Sequence, residues 1–200
     1  MAGSEGVSSR GPRERVRIEV MAAARALLSE GDFSGFSMEA LARRAGVSKA
    51  TVYRWWNNRS DVAMDVLLEA AGPQVPYLHE GSALANLRSH IHIAARFIGG
   101  PDAHMLAGIV ADAQHDAQLA DAFRRRYLSE RRKLIIGLMT DAIEAGELSA
   151  DTDEELLADR LIGPMYYRLL LGHAPVVDEL ADTLFDLTIG TQDRESRRTR

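Results

Sequence analysis

Residues 36–61 read F-S-M-E-A-L-A-R-R-A-G-V-S-K-A-T-V-Y-R-W-W-N-N-R-S-D, a pattern of two short helices joined by a tight turn. Ser37 is placed to cap the first, its hydroxyl accepting from a backbone N–H that the helix leaves unpaired. Phe36 before the cap and Leu41 four residues after it have the spacing of a hydrophobic staple. Gly46 falls just past the helix, where a left-handed residue turns the chain. Ser48 is placed to cap the second helix, and Leu41, Ala42, Ala45, Val47 and Val52 form a small apolar seam between the two. These features predict a helix-turn-helix.

The outer face points to DNA. From Ala40 to Ser60 the charged residues are Arg43, Arg44, Lys49, Arg54 and Arg59, with no acid among them. Lys49, Ala50 and Thr51 form the first turn of the second helix, the part that meets base edges in a major groove. Ala50 is small enough for close approach, and Lys49 can donate to guanine O6 and N7. Thr51, Tyr53 and Arg59 offer hydroxyl and cationic donors to phosphates, which set register without carrying sequence information. Ser37, Arg44, Ser48 and Trp55 complete the expected DNA-facing set.

Ala45–Arg59, A-G-V-S-K-A-T-V-Y-R-W-W-x-x-R, resembles the signature of the tetracycline-repressor-like (TetR) family of bacterial transcriptional regulators, and Ala23–Phe33 is similar to the end of that family's first helix. Asp32 stands where the family commonly has Gly, and Ser60 where an acid is common; neither touches the reading surface. The motif covers roughly the first third of the chain. The resemblance implies an all-α protein of about nine helices, with a helix-turn-helix head and a larger C-terminal ligand-binding and dimerisation body. It further implies a cytoplasmic homodimer on a palindromic double-stranded DNA operator, an unidentified small-molecule effector, Trp56 as a core anchor and Tyr53 on phosphate. Repressor and activator share such a head; the expectation is a repressor released by its effector.

The composition agrees with a cytosolic globular protein. Of 200 residues 46% are hydrophobic and 26% charged, and none is cysteine, which excludes disulfides and thiolate metal sites. The N-terminus has no apolar h-region, and no apolar run approaches the ~18 residues of a membrane span. The net charge of −5 is unevenly spread. Residues 1–70 hold ten Lys/Arg against nine Asp/Glu, residues 71–190 ten against eighteen, and residues 191–200 four against two. The acidity belongs to the body, and screening to about 8–10 Å makes the local basic patch decisive for phosphate contact.

The expected domains are a disordered arm at 1–11, a DNA-binding domain with its linking helix at 12–71, a ligand-binding and dimerisation domain at 72–190, and a disordered charged tail at 191–200. The arm reads as plain disorder, with a groove contact as the alternative. Pro12 suits the first position of a helix whose apolar face is Val16, Val20, Ala23, Ala24, Leu27 and Leu28. Asn57 and Asn58 break the reading helix and Ser60 can cap the next, which ends at Gly72-Pro73 beside the junction 72–80. In the body, apolar spacing predicts helices over Leu84–Ile98, Met105–Ala113 and Leu119–Ala145, the last stopped by Gly146. Thr152-Asp153-Glu154-Glu155 reads as a capping box, opening a helix that Pro164 should kink.

The last two helices are apolar over more than one core face, so part of them is expected to meet a second subunit; the alternative is a purely intramolecular bundle. Leu161, Met165, Leu169, Leu180, Leu184 and Leu187 are the expected dimer residues. Phe97, Met105, Ile109, Met139 and Tyr166 are the expected lining of an effector pocket, although each taken alone is more often ordinary core. The six histidines lack the H-x-x-x-H and H-E-x-x-H spacings, so no metal site is expected, and no cofactor. Arg124-Arg125-Arg126 and Arg131-Arg132-Lys133 read as a solvated face. No P-loop, G-x-G-x-x-G or nucleophile elbow is present, so no catalytic residue is expected. Two competing readings are an all-helical enzyme or binding protein with an incidental head, and a constitutive DNA-binding dimer without an effector.

Overall fold

In the computed structural model, which describes residues 12–30, 35–72 and 81–198, every element is helical. The elements are α1 (Pro12–Glu30), α2 (Met38–Arg44), α3 (Lys49–Tyr53), α4 (Arg59–Ala70), α5 (Ala83–Ile98), α6 (Ala103–Asp112), α7 (Ala117–Phe123), a π-helical turn (Arg124–Leu128), α8 (Ser129–Glu144), α9 (Glu154–Leu171) and α10 (Asp178–Arg198). Counting α7, the π turn and α8 as one rod, as the sequence suggests, gives nine helices among the described residues. The expected arm at 1–11, the Gly31–Phe33 departure and the junction residues 73–80 lie outside them.

Two compact units divide at Val66 and Leu67, five residues before the boundary expected from the glycine-proline step. In the first unit, α1 begins at Pro12 and packs against α2 through a buried face containing Val20, Ala24 and Leu28. Phe36 and Leu41, the expected staple pair, are both buried. Asn58, not Ser60, caps α4: its Oδ1 accepts the Asp61 N–H at 2.8 Å, while Ser60 is buried. Asn is as good a cap as Ser, and α4 starts two residues too early for Ser60 to serve.

In the second unit α5 is central, packing against α8, α9 and α10 through Leu87, Ile91, Ala95 and Ile98. Its exposed flank carries Arg88, His92 and Arg96, each four residues apart, facing Asp178, Asp182 and Asp186 at the same interval on α10. Arg88 pairs with Asp182 at 2.7 Å and with Asp186, and Arg96 with Asp178 at 3.0 Å. The two His92 ring nitrogens lie 3.1 Å from Asp178 and from Asp182. Gly99 ends α5 where a Cβ would stand 2.0 Å from the Val176 carbonyl oxygen, so only glycine admits that approach. The cap of α9 is Asp153, whose carboxylate accepts the Leu156 N–H at 3.0 Å, rather than Thr152. α9 then runs through Pro164 without a break, although proline removes one helical donor there. α10 continues to Arg198, through residues expected to be a disordered tail.

Candidate nucleic-acid interface and body cavity

The turn between α2 and α3 is built by the residues read for it. The Ser37 Oγ accepts the Ala40 N–H at 3.1 Å, and the Ser48 Oγ accepts the Thr51 N–H at 3.1 Å. Gly46 has φ +67°. The Val47 N–H bonds the Ala42 carbonyl at 3.0 Å and the Gly46 N–H the Arg43 carbonyl at 3.3 Å. That pair of bonds is a Schellman motif, and it satisfies carbonyls that the end of α2 would otherwise strand. Val52 is fully buried beneath α3, which aims the opposite face outward: Lys49, Ala50 and Tyr53 are exposed, Tyr53 by 50%.

The tryptophans differ. Trp56 is 3% exposed and its Nε1–H donates to Asp65 of α4 at 2.8 Å, an anchor inside the head. Trp55 is 38% exposed, and both residues lie beyond the last turn of α3, which ends at Tyr53. Helical spacing therefore does not separate them. The Arg17 guanidinium stands 6.0 Å from the ring of Trp55 and 5.9 Å from that of Trp56, and 3.6 Å from Asp65. Arg17 of α1 thus lies over both indoles.

Two of the expected DNA contacts have acidic partners. Lys49 Nζ is paired with Glu39, and Arg44 with Glu30 at 2.6 Å. Each cation holds its carboxylate below the usual range, first through the hydrogen bond. Glu39 lies one residue before the acid-free window and Glu30 on the preceding helix, so neither is visible in the basic run itself. Both pairs are exposed, the kind worth little and readily exchanged for a phosphate or base edge.

The body holds a partly open cavity of ≈ 80 Å³. Of the residues expected to line a pocket, Phe97 and Tyr166 do. Met105, Ile109 and Met139 do not; they are buried core, the first two on α6, which packs against α5, α7 and α9. The polar groups on the wall are His90, Tyr127, Tyr166, Arg131 and Arg132. Burial, and then the Arg131 charge, lower the His90 imidazole to about 4, so it is neutral near pH 7. Burial raises both tyrosine hydroxyls, which hydrogen-bond each other. The π turn brings Tyr127 to this wall, stacked on Phe123 with centroids 5.2 Å apart. Arg131 is therefore not part of a solvated face. It follows Tyr127 by four and precedes Ile135 by four on a stripe continued by Leu138 and Ala142, all buried. A cation inside an apolar stripe was the available signal, and a tally of basic residues hides it.

The expected dimer residues divide. Leu161, Met165 and Leu180 are buried within their own protomer, because they face α5 and its neighbours rather than the outside. Leu169 and Leu184 are half-buried and Leu187 is 64% exposed. The exposed apolar residues on or beside these helices also include Leu156, Tyr167, Leu170, Leu171 and Val177. Among the described residues no cluster of three or more His, Cys, Asp or Glu could hold a metal ion, and no helix is long and apolar enough to cross a membrane.

A capped helix-turn-helix with a cationic, exposed second helix, attached to an all-helical body with a partly open cavity, defines a regulator of the DNA-binding type. Residues 79–188 match the family described as "Tetracyclin repressor-like, C-terminal domain", and residues 20–66 match "Bacterial regulatory proteins, tetR family". The HTH-type transcriptional regulator YdeS of Bacillus subtilis (strain 168), itself uncharacterised, is 36% identical over 152 residues, 76% of this chain and 77% of that protein. The crystal structure of the TetR family regulator SCO0332 is 32% identical, with a TM-score of 0.60 over 88% of this chain and 97% of that one. FadR from Bacillus subtilis, solved with stearoyl-CoA, shares the fold at 18% identity and a TM-score of 0.70, covering 86% of this chain and 97% of its own. The chain belongs to the TetR family of transcriptional regulators.

Proposed function

We propose that this regulator is a repressor that binds a palindromic operator as a homodimer in the cytoplasm, and that a small molecule entering the body cavity releases it. The observation that carries this reading is the exposed first turn of α3, Lys49-Ala50-Thr51, held outward by the Ser48 cap and the buried Val52. Such a turn reads only a few base pairs, so a two-fold pair reading two half-sites about 10 bp or a multiple apart supplies the missing specificity. Tyr167, Leu170 and Leu171 on α9, with Leu187 on α10, offer the apolar surface for that pairing. The repressor direction follows the family's description, and FadR offers a precedent for a small molecule held by this fold. Release is a population shift: an effector favouring a conformation with badly spaced heads weakens operator binding by its differential affinity.

The test is selection of duplexes from a random DNA pool by the purified protein across a salt series. Recovery of one palindrome, with affinity falling steeply as salt rises, supports the dimeric reader. Recovery of nothing above background overturns it.

A further inference from the structure

The cavity wall carries a cation whose charge is not neutralised. Arg132 is paired with Asp159 at 2.5 Å and with Glu155. Arg131, its neighbour, has no carboxylate partner among the described residues. Its Nη2 donates to the Ala71 carbonyl at 3.1 Å and the Gly72 carbonyl at 3.3 Å, and its guanidinium carbon lies 5.5 Å from the centre of the Tyr127 ring. A guanidinium has five N–H donors in a planar fork, and these two carbonyls engage only one nitrogen. Its field is felt across the cavity, opposing protonation of His90 and favouring ionisation of both tyrosines. A part-buried cation with neutral partners is costly, and an anion placed against it offsets that cost.

We propose that the cavity is a site for a small apolar carboxylate, bound through its anion by Arg131, and that this capture draws the guanidinium away from the Ala71 and Gly72 carbonyls. The proposal rests on the reading of the body as an effector-binding domain and names the effector's class. Ile93, Phe97, Ile135 and Ile162 supply apolar walls for the remainder of the ligand. At roughly 30 Å³ for each water-sized group, the ≈ 80 Å³ cavity holds about two or three such groups. That is the scale of acetate or propionate.

The coupling follows from where the two carbonyls lie. Ala71 and Gly72 close the last turn of α4, their N–H groups bonding Leu67 and Glu69 at 2.9 and 3.2 Å. Arg131 thus supplies the cation and donors that a helix C-terminus favours. A carboxylate competing for it removes that cap from α4, the helix that starts six residues after α3 ends. Ligand and α4 order are then linked with opposite sign, and the linkage is reciprocal.

Isothermal titration of the full chain with acetate and propionate, against acetamide and propionamide, tests the chemistry. The carboxylates are expected to bind at least about tenfold more tightly. In Arg131→Gln, shown by circular dichroism to keep its helices, that preference should vanish. Should Arg131→Gln not fold, the carboxylate-to-amide ratio on the wild-type chain decides alone. Equal binding of amides and carboxylates overturns the proposal while leaving an effector cavity in place, and binding of none of the four overturns it for this cavity. Hydrogen exchange tests the coupling: propionate should accelerate exchange at residues 70–72, and unchanged or slower exchange refutes it. Operator selection in the absence of ligand stands apart, so loss of the regulator reading would show there.

Discussion

His90 makes the stability of the body depend on pH over a window that no exposed acid shares. The imidazole is 6% exposed on α5, and burial together with the Arg131 charge lowers it from 6.5 to about 4. Between those values the unfolded chain binds a proton that the folded chain refuses. Stability is therefore fully present above about pH 6.5 and declines as pH falls towards 4. One unit of pKa is about 1.4 kcal/mol, so the full loss is about 3 kcal/mol, of which about 1 kcal/mol falls between pH 7.5 and 5.5. Asp178 and Asp182, lowered chiefly by bonds from His92 and Arg88 respectively, contribute stability present above about pH 4 and lost below it, outside that window. Urea unfolding of the wild type and His90→Leu at pH 7.5 and 5.5 isolates the effect. Far-UV circular dichroism follows the helices of both units, while tryptophan fluorescence follows the head alone, since both tryptophans, Trp55 and Trp56, lie there, and the difference between the two signals reports the body. The wild type should lose about 1 kcal/mol more than His90→Leu over this range. Parallel losses would show that His90 titrates normally and refute the reasoning.

Three further outcomes are expected. Lys49→Ala should relax discrimination at one operator position by about 1–3 kcal/mol, read by fluorescence anisotropy on single-base operator variants; an equal loss on every sequence would make Lys49 a phosphate contact. Gly46→Ala, at φ +67° with nothing within 4 Å of its new Cβ, has room but the wrong backbone, so the head should lose about 1 kcal/mol of stability to tryptophan-monitored urea unfolding; no loss would show that the turn relaxes out of the left-handed region. Tyr167→Glu combined with Leu171→Glu, both in exposed positions, should shift sedimentation from dimer to monomer without loss of helix; an unchanged dimer would move the interface elsewhere.

The local chemistry could be read along the chain. The Ser37 and Ser48 caps, the left-handed Gly46 and the stop at Gly146 are set by interactions within a few residues, and each stands where it was read. The periodicity that separates helix from strand is equally local, as is the A-G-V-S-K-A-T-V-Y-R-W-W pattern that carries the family. Choices among nearby polar residues were less legible: Asn58 rather than Ser60, and Asp153 rather than Thr152, cap their helices, because a shift of two residues in the first case and one in the second decides between candidates of similar propensity. The tertiary structure alone decided which way each apolar or charged side chain faces. Leu161 and Met165 look inward and Tyr167 outward on one helix, because α5 occupies one side of it. Arg131 reaches a cavity because helices distant in sequence leave a space beside it, and its hydrogen bonds go to carbonyls 59 and 60 residues away. Glu39 meets Lys49 across a turn, ten residues apart. Pairings of this kind depend on packing between elements, and no count of residues along the chain contains them.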